Sequence, residues 1–319
     1  MLRVGVIGCG GHAQGHFRMI GQEPRLRLTA IAELDPDRRA RAQAEHHPEA
    51  AFDDYRRMLD AVELDVVHVV TMPGHLLPIV TETLGRGIHT SIEKSPGMTS
   101  AETRQMLAAE RTSPARALVS FNRRYFPEVL AVRRRLQERG GAVQVAAIYH
   151  KTPFAHAGTK WTTLAPEPLI CDAIHHVDLL RWLAGRTPEA AATVASVLGD
   201  AFSGAEDGTQ RYNGLIRFDT GCRGVMMSHY GVGYRIQQAE AHAEGFSAYL
   251  DLTERPRVTL YEEGALRPDL LDLDAVGGSS FNEVVHFTDC ILNGTAPWSN
   301  LEDAVHTMEL AEAIAASRS

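Results

Sequence analysis

The chain has no run of about 18 apolar residues, so no stretch reads as a transmembrane helix. It also has no excess of basic charge. A formal net charge of −8 argues against bulk electrostatic binding to nucleic acid or to an anionic membrane. Cysteine is scarce: Cys9, Cys171, Cys222 and Cys290 lie far apart and match no metal-ligand spacing. Reduced thiols in a cytoplasmic enzyme are expected from them. There is no internal repeat and no low-complexity segment, and because the first apolar run begins almost at Met1, no signal peptide is expected. What is present is ordinary for a globular protein with a real core: 319 residues, 44% hydrophobic and 23% charged. That length suggests two domains.

The most informative stretch is 2–17. Val4 to Ile7 is an apolar run the length of one buried strand. Gly8, Gly10 and Ala13 follow at the three places of a G-x-G-x-x-G/A turn. Gly8 suits a sharp exit from the strand, Gly10 lets a pyrophosphate approach the backbone, and Ala13 lets the next helix pack closely. A helix expected from Gly11 to Ile20, with His12 in its opening turn, would offer free N–H groups and a positive dipole end to phosphates. Such a turn is weak alone; its context is a strand before, a helix after and an acid about 20 residues on. The strand Leu26 to Ala32 ends at Glu33, where a carboxylate would meet the adenine ribose hydroxyls. An acid there repels a ribose 2′-phosphate, which favours NAD, while Arg38 and Arg39 keep NADP possible.

Beyond Glu33, Pro36 to Glu45 reads as a helix and Phe52 to Leu59 as a short element with a helical tail. The run 65–70 reads as a covered parallel strand, with His68 a hydrogen-bonded core residue rather than a ligand. Thr71 to His75 reads as a loop, Leu76 to Arg86 as a helix stopped by Gly87, and Ile88 to Ile92 as a strand. Ser100 to Glu110 reads as a helix with Ser100 as N-cap, and Ala117 to Phe121 as the last strand of the set. Strands alternating with helices predict a doubly wound parallel sheet, whose ligands sit outside the carboxyl ends of the strands. Gly8, Glu33, Thr71, Lys94 and Asn122 all fall at such ends. Lys94 could hydrogen-bond a substrate oxygen and stabilise charge developing on it. His12 and His16 are four apart, but no third ligand is evident and no metal is expected.

Asn122 to Phe126 marks the crossing into a second domain, dividing the chain into 1–121 and 122–319. Arg123 and Arg124 are either anion contacts or a surface pair. Pro127 to Arg139 reads as a helix with a solvated basic face and Val143 to His150 as a strand. The segment 151–168 has no periodicity; its Phe154, His156 and Trp161 either line a substrate pocket or pack within a loop. The stretch 171–185 has helical spacing with Gly185 as its stop, which puts Asp172, His175 and Asp178 on one stripe and turns His176 away. A carboxylate one turn from a histidine can fix its tautomer, so this pair could relay a substrate proton. From there the pattern is antiparallel: Ala191 to Leu198, Gln210 to Phe218, Cys222 to Tyr230, Ala239 to Ala243, Phe246 to Leu252 and Val258 to Tyr261. Helices are expected at Ser280 to Asn293 and Leu301 to Ala316.

The glycine turn, the acid after the second strand, the Pro73-Gly74-His75 loop and Glu93-Lys94 resemble the Gfo/Idh/MocA family of NAD(P)-dependent oxidoreductases, over nearly the whole chain. The resemblance implies a Rossmann domain followed by an α+β domain with a large open, mainly antiparallel sheet. It implies a catalytic role for Lys94, since the family carries a Glu-Lys-Pro motif; here Ser95 stands where the proline usually follows. Cofactor contacts are then expected from Gly8, Gly10, Gly11, His12, Ala13, Glu33, Thr71, Pro73, His75, Glu93, Lys94 and Asn122. In the family the second-domain helix carries an Asp, a His four residues later and an Asp three after that. Aligning on 178–182 selects His175 and puts Cys171 at the first Asp; aligning on Asp172 selects His176. The catalytic set implied is Lys94, His175 and Asp172, acting on a carbinol or carbonyl of a sugar, cyclitol or related polyhydroxy compound. A homodimer or homotetramer is implied as well, as is a last helix that packs back near the first domain. Two alternatives stand beside the dehydrogenase: NAD-dependent cleavage of a glycosidic bond, and a non-catalytic NAD(P)- or sugar-binding regulator.

Overall fold

The computed structural model describes residues 1–152, 167–203 and 210–317. The described chain forms two units, Met1–Ser120 with Asn282–Ala304, and Phe121–Phe281 with Val305–Ser319.

In the first unit, β1 (Leu2–Ile7), β2 (Leu26–Ala32), β3 (Ala50–Phe52), β4 (Val66–Val69), β5 (His89–Ile92) and β6 (Ala117–Val119) alternate with α1 (Ala13–Gln22), α2 (Pro36–His46), α3 (Tyr55–Ala61), α4 (Pro73–Gly85) and α5 (Ser100–Arg111). All neighbouring strands are parallel, in the order β3-β2-β1-β4-β5-β6. The order reverses beside β1, so a crevice opens at the carboxyl ends of β1 and β4. β4 is buried at every position, as a strand covered on both faces must be. Pro73 occupies the first position of α4, where its missing N–H costs nothing, so Pro73 to His75 form a helical turn rather than the expected loop. The N-cap of α5 is Thr99, not Ser100: the Thr99 hydroxyl accepts from the Glu102 amide.

The second unit contains α6 (Pro127–Gln137), β7 (Gln144–Lys151), α7 (Pro168–Cys171), α8 (Ile174–Ala184) and β8 to β14 (Val194–Ser203, Gln210–Phe218, Arg223–Tyr230, Ile236–Ala243, Phe246–Asp251, Arg257–Glu262 and Ala265–Leu266). Its sheet runs β14-β13-β12-β11-β7-β10-β9-β8, with only the β7–β10 pair parallel. α8 is buried at all eleven positions and packs on β7 and β10. The sequence periodicity spoke for one helix through 171–185. The chain instead breaks at Asp172, whose φ of −131° and ψ of −59° end α7 before α8 begins. Asp172 therefore does not share a helix stripe with His175.

α9 (Glu283–Asn293) and α10 (Leu301–Ala316) complete the chain. The segment 282–304, expected in the second domain, clusters with the first unit. Its side chains finish the β6 edge there: Ser120 Oγ donates to Glu283, and Ser299 Oγ donates to the Val119 carbonyl.

Candidate active site

The β1–α1 turn is fixed by sterics. Gly8 has φ of +90°, and a Cβ on it would fall 2.2 Å from the Val70 carbonyl oxygen. A side chain there is excluded by both conformation and space. At Gly10 and Gly11 the opposite holds: a Cβ would come no nearer than 3.9 Å to Arg38 at Gly10 and would meet nothing within 4 Å at Gly11, so the backbone is open to an incoming group. α1 begins at Ala13, not Gly11; His12 is its N-cap and makes no side-chain cap bond. The amides of Ala13, Gln14 and Gly15 donate to the carbonyls of Gly10, Gly11 and His12 at 3.1, 3.4 and 3.2 Å, so the turn winds directly into the helix.

Glu33 follows β2 and is held at the same edge. Its Oε2 accepts from the Cys9 amide at 2.7 Å and its Oε1 from the Asp35 amide at 3.0 Å. A cleft of about 320 Å³ lies beside the turn, lined in part by Cys9, Gly10, Gly11, Arg38, Arg41 and Glu45. Arg39 is not part of that lining; it donates to the Glu33 carbonyl at 2.6 Å. Arg41 escaped the sequence reading, although its i,i+3 spacing from Arg38 on a helix could have found it.

Thr71 and the α4 turn holding Pro73 and His75 follow β4, and Glu93 and Lys94 follow β5. Lys94 is 9% exposed, and its peptide bond to Ser95 is cis. Glu93 Oε2 meets His16 Nε2 at 3.2 Å, while its Oε1 lies 4.0 Å from His12 Nδ1. Burial pushes the Glu93 carboxyl up, but the hydrogen bond from His16 and the charges of His16, Lys94 and His12 outweigh it and hold Glu93 below its ordinary value. His12 and His16, weighed above as a metal face, are thus turned on a carboxylate.

The second unit gathers a separate polar cluster. Asp172 accepts from Tyr149 Oη at 2.9 Å, Lys151 Nζ at 2.8 Å and Tyr230 Oη at 3.1 Å. Nothing in the sequence spacing announced these partners, which come from β7 and β10. His175 lies in the first turn of α8 and is 8% exposed. His176 is wholly enclosed, with its ring edge-on to Tyr149 at 5.0 Å. Burial, then the charges of Arg123 and Arg235, holds it well below the ordinary histidine value. Asp178 belongs to a structural ion pair instead: Arg124 Nε donates to it at 2.7 Å and Thr307 Oγ1 at 2.9 Å. Arg124 is neither a surface residue nor open to an anion, being 0% exposed. Arg123 donates to Gln237 at 2.6 Å. Asn122 opens a 3-10 turn in the second unit, and its Oδ1 is buried without a hydrogen-bond partner. Phe154, His156 and Trp161 lie outside the described residues.

A parallel sheet of this order, a glycine turn and an acid at the end of the second strand are the features of a dinucleotide-binding Rossmann domain. Residues 2–121 match the model of an oxidoreductase family with an NAD-binding Rossmann fold, Gfo/Idh/MocA. An inositol 2-dehydrogenase from Paracoccus denitrificans is 32% identical over 57% of this chain and 54% of its own length, so about half of that relative is spanned. A D-apiose dehydrogenase from Paraburkholderia graminis is 24% identical over 97% of this chain and 85% of its own. A solved dehydrogenase from Chromobacterium violaceum shares the fold with a TM-score of 0.83 at 19% identity, over 100% of this chain and 95% of that one. The match over 2–121 and these relatives liken the chain to the Gfo/Idh/MocA family.

Proposed function

We propose that the protein is an NAD-dependent dehydrogenase oxidising a carbinol of a cyclitol or sugar, with the first unit holding the cofactor and the second the substrate. The observation that carries this reading is one sheet edge that presents both the Glu33-bound glycine turn and Lys94. The open backbone at Gly10 and Gly11 fits a pyrophosphate, and the Glu33 carboxylate fits ribose hydroxyls rather than a 2′-phosphate. The relatives named for inositol and D-apiose support a polyhydroxy substrate.

The nicotinamide, when bound, supplies the hydride acceptor. Lys94 hydrogen-bonds the substrate oxygen and stabilises the negative charge that grows there as its proton leaves. His175 takes that proton. His176 is not assigned the role, because its ring is fully enclosed and held neutral. Asp172, with Lys151 and two tyrosine hydroxyls around it, orients substrate hydroxyls. Exposed Leu198, Leu215, Tyr249 and Tyr261 on the eight-stranded sheet support a homodimer or homotetramer, and four free, buried cysteines suit the cytoplasm.

Turnover of myo-inositol and a polyol panel with NAD by Lys94→Ala tests the reading. Loss of about 10²–10⁴-fold is expected, with NADH affinity nearly intact. Near-normal turnover in that variant contradicts it.

A further inference from the structure

A file of buried polar groups runs through the first unit behind Glu93 and Lys94. His16, from α1, is 4% exposed. Its Nε2 lies 3.2 Å from Glu93 Oε2 and its Nδ1 lies 3.3 Å from His68 Nδ1 on β4. Glu283, in the first turn of α9, is 3% exposed, and the Ser120 hydroxyl at the end of β6 donates to its two oxygens at 2.7 and 2.9 Å. The charged and titratable groups around His16 are therefore Glu93, with Lys94 beside it and His12 at 4.0 Å, together with Glu283 and His68.

A contact between two Nδ1 atoms needs one N–H and one lone pair. The geometry limits the protons: a neutral His16 that donates to Glu93 must accept from His68, whereas an imidazolium donates to both. The electrostatics favour the imidazolium. Burial pushes His16 down, but the hydrogen bond to Glu93 and the charges of Glu283 and Glu93 outweigh it and hold His16 above its ordinary value. Burial and the charge of His16 hold His68 well below its own, so His68 is neutral and accepts.

We propose that His16 is a positioning residue for the chemistry at Lys94: a buried imidazolium that keeps the Glu93 carboxylate ionised and aimed, as the fixed counter-charge of Lys94. The inference rests on the proton-handling role given to Lys94 above. Without the cation, the buried acids Glu93 and Glu283 are left facing each other, and one takes up a proton. A neutral Glu93 no longer balances Lys94, so turnover follows the charge on His16. That charge is lost as pH rises through the raised His16 value, which gives turnover an alkaline limb.

Two measurements on the full chain test this. In protein labelled with ¹³C at histidine Cε1, the signal missing from His16→Asn reports His16. Its midpoint is expected above 6.5 and is expected to fall in Glu93→Gln. The pH profile of myo-inositol oxidation by NAD is then compared between wild type and His16→Asn, whose amide can still donate to Glu93 but carries no charge. A kcat about tenfold lower at neutral pH is expected, with the alkaline limb gone and KM little changed. Glu283→Gln, which keeps a partner for Ser120, is expected to move the limb down by about one pH unit, and it serves if His16→Asn does not fold. A His16 midpoint below 6.5, or an unchanged profile in the folded variants of an active enzyme, overturns the proposal. A wild type with no turnover on any polyol instead removes the dehydrogenase reading, and the positioning role with it.

Discussion

His16, in the first unit, has one carboxylate hydrogen-bonded to it and a second within electrostatic reach; His176, in the second, has two guanidinium groups within electrostatic reach. Both rings are shut away from water, at 4% and 0% exposure. Burial opposes charge on each, yet one is held above its ordinary value and the other well below it. The neighbours decide the outcome. His16 has Glu93 and His68 within hydrogen-bond distance of its two nitrogens, whereas neither nitrogen of His176 has a hydrogen-bond partner. Carboxylates can thus hold one buried histidine toward its charged form, while neighbouring cations help to hold another neutral.

The same apolar replacement separates the two. His16→Leu removes the cation facing Glu93 and Glu283 and is expected to cost about 3–5 kcal/mol, as breaking a buried ion pair does; urea unfolding measures it. A loss below about 1 kcal/mol would mean that His16 is neutral in the folded protein. The next effect is in pH. His176 stays neutral when folded, while the unfolded chain takes up a proton at this position below the ordinary value of 6.5. Its contribution to stability therefore falls as pH drops below that point, by about 1.4 kcal/mol per pH unit for one proton. His176→Leu should flatten the acid limb of the wild-type stability curve by that slope, and a limb as steep as wild type would show that His176 is charged. The contribution of His16 has the opposite sign, being complete below pH 6.5 and lost as pH rises through its raised folded value. The smallest effect is His176→Leu at neutral pH, where an apolar side chain relieves two unpaired nitrogens; a change within about 1 kcal/mol is expected.

The two units also differ in how much of them the sequence discloses. In the first, local patterns suffice: β2 has the predicted bounds, and the strand ends carry Gly8, Glu33 and Lys94 as expected. Glycine turns and apolar runs act over a few residues, so they are readable from neighbours alone. What the sequence hid is non-local. Glu283 joins Ser120 across 163 positions, and Arg124 pairs with Asp178 across 54. In 171–185 the period of the apolar residues is helical, but it is blind to the break at Asp172, whose partners come from β7 and β10. The choice between His175 and His176, open on alignment, becomes a question of enclosure, which only packing reveals.

Fluorescence titration of the wild-type protein and Glu33→Gln with NADH and with NADPH tests the central claim, a cofactor cradle governed by the Glu33 carboxylate. The account predicts tight NADH binding and weak NADPH binding by the wild type, with the gap narrowed in Glu33→Gln. Wild-type preference for NADPH would shift recognition to Arg38 and Arg41 in the cleft, and binding of neither nucleotide would contradict the account outright.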